Sequence, residues 1–406
     1  MKLKIDFMGH ELADCSAIYI YGFGIAGRWL ATQLGSKVRG FIDTDEKKRG
    51  VVYLGLPVLS IEEAEKILPK DAAIINTVID IQDVLDTVKR LPHARALALG
   101  LYLEQGASQQ TPLMKESAEF LNYSLDAVEK CHKGFYDPNS IFLRSIDVII
   151  TERCTLKCRD CSNLMQYYET PQNLSKEQVL SDFNMLMQNV DHVYEARLIG
   201  GEPFMNKDIY DIIAQIVKSE KISKVVIYSN AMIPFREEGI SILKNPKVIL
   251  SLTDYGDLAK TTHRNVSKLD EAEIPYRLHP PENWTDSGII KNFERTLEEN
   301  EEIFQRCCGK NLLTLSNGKI YRCPFAANAD RLNAIPLNTE NYIFADSSSE
   351  EIRRYTRKIK ALPACNFCKG RSFNAPQIKP AIQTSKPLIY KQYKLIEAGQ
   401  QTIDAD

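Results

Sequence analysis

Short apolar runs rich in β-forming residues alternate with helical segments twice along this chain, and that alternation constrains the fold more than any other feature. The first series comprises Ala17 to Tyr21, Val38 to Ile42, Ala72 to Ile75 and Ala96 to Leu99. The second comprises Ile146 to Ile150, Ala196 to Ile199, Lys224 to Tyr228, Lys247 to Leu252 and Tyr276 to Leu278. Successive strands joined by helices run parallel, because only a long crossover returns the chain in the same direction. The expected class is therefore α/β, with functional residues at the C-terminal ends of the strands. Within the second series Ser175 and Gln178 have capping-box spacing, and Val179, Phe183, Leu186 and Val190 follow on one helical face. Beyond residue 300 the pattern changes: Leu312 to Leu315 and Lys319 to Arg322 flank Asn317-Gly318, the signal of a type I′ hairpin.

A chain of 406 residues accommodates two or three domains. The expected divisions are an α/β domain over 1–110, a helical linker over 111–143, the second strand series over 144–300, a small module over 301–380 and a tail over 381–406. The net charge of -2 gives no electrostatic ground for a nucleic-acid or anionic-membrane partner. No stretch approaches the roughly 20 apolar residues of a bilayer span, and the first residues lack the apolar core of a secretion signal. A cytoplasmic protein is expected. There, ten cysteines stay reduced, and clustered thiols point to metal.

Cys154, Cys158 and Cys161 form a CxxxCxxC group directly after the run Ile146 to Ile150. Three thiolates on one loop can hold three irons of a cubane and leave the fourth iron open. A structural zinc site is the alternative, but it lacks a local fourth ligand. About forty residues further on, the next strand ends in Gly200-Gly201-Glu202-Pro203. Its glycines permit close backbone approach and its carboxylate can accept from an ammonium group, although alone the segment reads equally as a turn.

Together these two segments resemble the radical S-adenosylmethionine (SAM) superfamily. The resemblance implies a partial (β/α)6 barrel of the TIM type over 144–300 and a [4Fe–4S] cluster on Cys154, Cys158 and Cys161. It implies SAM chelating the open iron, with Gly200, Gly201, Glu202 and Pro203 at the SAM amino group. It extends to Ser229 and Asn230, and to Ser251 with Asp254, at the next two strand ends, whose polar groups would meet the ribose and carboxylate of SAM. Capping is the competing role for each of these. The sequence departs from the pattern at Asp160, where an aromatic residue commonly precedes the third cysteine, and at Ala231, where glycine often follows the Ser/Thr-Asn pair.

Cys308, Gly318 and Cys323 follow Cx9Gx4C, and Cys365 with Cys368 makes CxxC. Four thiolates close a cubane completely, and the same four suit a zinc ribbon. The arrangement resembles the auxiliary-cluster domain called Twitch, related to SPASM, which implies a second [4Fe–4S] cluster. Cys307 is an alternative ligand, an inert thiol or, in an epimerase, a hydrogen donor. Cys15 and Cys131 have no partners by spacing and read as structural.

Gly22, Gly24 and Gly27 form GxGxxG at a strand-to-helix turn, with Asp43 ending the next strand. This is the nucleotide fingerprint, in which a helix N-terminus faces phosphate and an acid meets the ribose hydroxyls. The segments Tyr19 to Arg28, Gly40 to Asp43 and Gly55 to Val58 resemble the short Rossmann-like domain of bacterial sugar acyltransferases that bind nucleotide-sugars. A docking domain whose glycines serve packing alone stays open.

The leading reading is a radical SAM enzyme, reduced by a flavodoxin- or ferredoxin-type donor. Its 5′-deoxyadenosyl radical would take hydrogen from a sugar or nucleotide-sugar, for dehydrogenation or epimerisation. His279, Trp284 and Asp286, just past the run Tyr276 to Leu278, could face substrate. A maturase of a ribosomally made peptide and a non-catalytic iron–sulfur or zinc scaffold are the competing readings.

Overall fold

The computed structural model describes residues 1–4, 11–106, 117–358, 360–372 and 375–393. Of the expected segments, 5–10, 107–116 and 394–406 lie outside the described residues. The chain divides into two compact units, Met1–Arg144 and Ser145–Asp406.

In the first unit, Ile18–Tyr21, Val38–Ile42, Leu56–Leu59, Ala73–Asn76 and Arg95–Ala98 form parallel pairs, with Val52–Tyr53 antiparallel at one edge. Ile18–Tyr21 lies between Val38–Ile42 and Ala73–Asn76, so strand order reverses at this first parallel strand. Such a switch point opens a crevice at the C-terminal strand ends. The edge hairpin is absent from the sequence reading because its strands are short and Pro57 argues against a strand. Its turn, Leu54-Gly55, has positive φ at both residues, as a type I′ turn requires.

The helix Ala118–Tyr136 begins at Ser117, whose hydroxyl accepts from Phe120 N. Leu121, Leu125 and Val128 recur at helical spacing and are buried with Ile20, Trp29 and Leu30. The segment expected to act as a linker thus supplies part of the first unit's core.

The second unit is organised by one sheet. Phe142–Thr151, His192–Gly200, Ile222–Ser229, Val248–Thr253 and Tyr276–His279 lie side by side in chain order. On the other flank of Phe142–Thr151 come Thr314–Ser316, Lys319–Tyr321 and Tyr342–Phe344. Thr314 pairs in parallel with Asp147, so the segment beyond residue 300 continues this sheet. At the hairpin, Asn317 and Gly318 have φ of 51° and 70°, and Gly318 N donates to Asp182 at 2.8 Å. Asp182 belongs to the helix Lys176–Asn189, which Ser175 caps and which buries Val179, Phe183 and Leu186. Among the described residues, no helix is long and apolar enough to cross a membrane.

Candidate functional site

The strand Phe142–Thr151 delivers its chain directly into the three-cysteine loop. Thr151 anchors the exit, accepting from Arg153 N at 3.0 Å while its hydroxyl donates to Asn173. Cys161 N donates to Cys158 O, which turns the loop back on itself. Leu156, Met232, Tyr255, Trp284 and Ala381 pack around the cysteines. Burial pushes the Cys158 thiol up to about 11 and also raises Cys154 and Cys161. Thiolates in such surroundings require a cation, which is the chemistry of a metal-binding donor set.

The strand His192–Gly200 ends against this loop, and only glycine permits it. A Cβ at Gly200 would lie 2.0 Å from Thr151 O, and one at Gly201 2.3 Å from Arg153 O and 2.8 Å from Cys154 Cβ. Gly201 N and Glu202 N donate to Thr151 O and Arg153 O, fixing the approach. Glu202 is 1% exposed and was expected to accept from the SAM amino group. Its two oxygens accept from Phe204 N at 3.1 Å, Ser229 Oγ at 2.8 Å and Asn230 N at 2.7 Å. Burial raises its carboxyl to about 7 against the pull of these donors. Glu202 therefore ties two strand ends together, and the neighbouring Pro203 is buried at the start of a single turn.

Asn230 braces the cysteine loop: its amide donates to Thr155 Oγ1 at 2.9 Å and points to Cys154 Sγ at 3.7 Å. Ala231 follows with φ of 55°, a left-handed conformation that accounts for the glycine expected there. Ser251 occupies a cross-strand row with Tyr228 and Arg277. Asp254 accepts from Gly256 N at 2.9 Å, a bond local to the strand end. Asp160 pairs with Arg159, and the residues flanking the cysteines that could meet adenine are Tyr255 and Trp284, edge to face at 6.4 Å. Of the three residues set down as facing substrate, Trp284 joins the cysteine environment, Asp286 pairs with Lys369, and His279 is half-buried with its pKa lowered by desolvation.

Three features were missed in the sequence. Tyr255 carries no motif. Gln383 lies in the expected tail, yet its amide donates to Cys158 Sγ at 3.4 Å. Glu195 and Arg197, joined at 2.6 Å, share a sheet face within a strand of otherwise buried apolar residues. Two charges alternating with Ala196 and Leu198 were a legible signal for this last pair.

Cys307, Cys323, Cys365 and Cys368 line an apolar cavity, with Phe304 and Phe325 among its walls. Gly309 N, Leu362 N and Gly370 N approach Cys307, Cys365 and Cys368 Sγ at 3.3, 3.4 and 3.3 Å. Such N–H···S contacts suit anionic sulfur. Cys308, expected as a ligand, is not in the cavity wall, and Cys307 takes that place. Adjacent residues project differently: Cys307 N closes the end of the helix Leu297–Gln305 on Phe304 O, whereas Cys308 N donates to Arg371 O. A hydrogen bond from the adjoining Cys308 thiol lowers the pKa of Cys307. The same position argues against Cys307 as a free hydrogen donor. Among the described residues, no three His, Cys, Asp or Glu side chains are gathered closely enough to hold a single metal ion.

In the first unit, Gly22 has φ of +102° and a Cβ there would lie 2.7 Å from Val78 Cγ2, while one on Gly27 would lie 2.0 Å from Gly22 O. Both are packing requirements. Gly24 alone faces open space. Asp43 is engaged locally, accepting from Phe23 N at 2.8 Å, Asp45 N at 2.9 Å and Lys48 Nζ at 3.0 Å. The acid expected to meet ribose thus holds the glycine loop. Cys131 is buried and Cys15 packs against the core.

Comparison with known proteins bears on the second unit. Residues 148–269 match the family model of the radical SAM superfamily. A GTP 3′,8-cyclase of Limosilactobacillus fermentum is 28% identical over 102 residues, 25% of this chain and 30% of the relative. Molybdenum cofactor biosynthesis protein 1 of Bos taurus is 31% identical over 87 residues, 21% of this chain and 13% of the relative. The matches thus span less than a third of these relatives. Among solved structures, BtrN in complex with AdoMet and 2-DOIA aligns with 56% of this chain and 93% of its own, at 13% identity and a TM-score of 0.40. Streptococcus suis SuiB bound to S-adenosylmethionine aligns with 50% of this chain and 48% of its own, at 15% identity and a TM-score of 0.31. Scores this low carry no weight on chemistry. The family implies a [4Fe–4S] cluster and SAM, and the buried three-thiol loop fits the first of these. The strand-and-cysteine-loop segment of this chain, residues 148–269, is thus similar to the radical SAM superfamily domain.

Proposed function

We propose that the protein is a radical SAM enzyme that dehydrogenates a sugar or nucleotide-sugar, holding one [4Fe–4S] cluster on Cys154, Cys158 and Cys161 and a second on Cys307, Cys323, Cys365 and Cys368. The observation that carries this reading is the convergence of the three-cysteine loop with Gly200-Gly201-Glu202 and Ser229-Asn230 at the C-terminal ends of adjacent strands.

Cys154, Cys158 and Cys161 would hold a cluster that, with SAM on its open iron, would supply one-electron cleavage of the sulfonium and hydrogen abstraction from an unactivated carbon. The electron comes from a flavodoxin- or ferredoxin-type donor. Gly200 and Gly201 let the SAM amino end approach the backbone, and Glu202 keeps that turn in shape. Ser251 and Asp254 serve the ribose and carboxylate, while Tyr255 and Trp284 wall the adenine and exclude water.

Dehydrogenation is favoured over epimerisation because the second cysteine set would accept the electron left on the substrate radical. The likeness to a cyclase named for GTP supports a substrate bearing a nucleotide.

The test is anaerobic reconstitution with iron and sulfide, followed by SAM and a strong reductant. Formation of 5′-deoxyadenosine is expected, and its absence defeats the enzymatic reading. Carbon-deuterated nucleotide-sugars should then pass deuterium into 5′-deoxyadenosine. Failure across sugars, with transfer from a peptide, would redirect the assignment to peptide maturation.

A further inference from the structure

The segment after residue 376 contacts the cysteine loop along its length. Ile378 and Gln377 pair antiparallel with Trp284 and Thr285, and Trp284 packs beside the cysteines. Ala381 is buried with Leu156 and Cys158. Arg159 N donates to Ile382 O, and Thr384 N to Lys157 O, each at 2.7 Å. The central contact is made by a side chain. Gln383 Oε1 accepts from Lys157 N at 2.7 Å, and Nε2 donates to Ala381 O at 2.7 Å and to Cys158 Sγ at 3.4 Å.

These bonds determine which way the amide faces. The carbonyl end is fixed by a backbone donor of the loop, so the NH2 end turns to the sulfur. Cys158 is 7% exposed, whereas Gln383 is an exposed residue lying across it. An N–H directed at a thiolate ligand stabilises the more negative state of a cluster and so raises its reduction potential.

We propose that Gln383 is a positioning residue of the first cluster, which fixes the Cys158 corner of the loop and raises the reduction potential through its amide N–H. This rests on the reading of Cys154, Cys158 and Cys161 as cluster ligands. The segment 377–384 would therefore join the cluster environment, although it lies more than two hundred residues along the chain from the ligand it serves.

The test compares the full-length, iron-loaded protein with Gln383→Met, which fills the same space without a donor. The midpoint potential of the first cluster is followed by electron paramagnetic resonance, and its signal is picked out as the one that SAM addition changes. Wild type without a SAM-sensitive cluster signal would overturn the underlying cluster assignment. With that signal present, the Met variant is expected to keep its iron and its melting temperature while its first-cluster potential moves to a more negative value. An unchanged potential overturns the proposal. Should Gln383→Met fail to load iron, Gln383→Leu, equally neutral and without a donor, is titrated in its place. A negative shift there supports the tuning role. An unchanged potential, or loss of first-site iron in both variants with second-site iron retained, assigns Gln383 a purely structural part and overturns it.

Discussion

The two cysteine sets are built in opposite ways. The first places three thiols within eight residues of one loop, directly after a strand, and leaves the rest of its surroundings to distant residues: Met232, Tyr255, Trp284 and Ala381. The second gathers four thiols from three separated segments around an apolar cavity. Local spacing identifies every ligand of a one-loop site. In an assembled site, spacing narrows the choice to neighbouring cysteines and the backbone decides between them.

The sharpest way to break this comparison is to empty one set at a time. Replacing Cys154, Cys158 and Cys161 together by alanine is expected to abolish 5′-deoxyadenosine formation and to remove about four irons per chain while leaving the rest. Loss of all iron would mean that the two sets are not independent. Next in size is the choice between neighbours. Cys307→Ser should lose the second set's iron, about four per chain, whereas Cys308→Ser should retain it, as read by iron analysis and visible absorption. The reverse result would restore the ligand expected from spacing.

A third contrast is with the first unit, which buries an imidazole where the second buries thiols. His132 is 0% exposed, accepts from Gly100 N at Nδ1, and lies with Nε2 2.9 Å from Val78 O. Desolvation lowers its pKa to about 4 from 6.5. The stabilising effect of the neutral ring is therefore complete above the unfolded value of 6.5 and is lost as pH falls towards 4. The integrated loss is about 3 kcal/mol. Denaturant melts across that range should show it, and His132→Gln should flatten the dependence.

The smallest effect concerns the brace between Asn230 and the first cysteine set. Ala231→Gly relieves a left-handed φ worth about 1 kcal/mol, partly offset by a lost buried methyl. A net stabilisation of less than about 1 kcal/mol is expected in chemical melts, and a clear loss of stability would show that the methyl's packing outweighs the strain.

Much of the fold was legible because burial imposes periodicity. The central strands of both sheets, the Ser175 cap and the Asn317-Gly318 hairpin all appear where apolar pattern and turn chemistry place them. The strands Val52–Tyr53 and Leu56–Leu59 did not, since a two-residue edge strand and a strand containing proline carry little pattern. The acids show a different limit. Asp43 and Glu202 each stand beside a glycine turn, and each invites assignment to a ligand. In the structure each accepts from a backbone N–H of the turn, Phe23 N for Asp43 and Phe204 N for Glu202, because a sharp turn leaves donors that no regular ladder can reach.

What the sequence determined by itself is therefore the α/β class, the one-loop thiol set and the glycines that must lie against it, all of which depend on residues close together along the chain. Tertiary structure decided that Cys307 faces the second cavity, that Tyr255 and Trp284 flank the first set, and that Gln383 reaches Cys158. Each of these depends on the direction in which a side chain leaves its backbone after distant segments have packed. Spacing along a chain does not encode that direction; the packed core does.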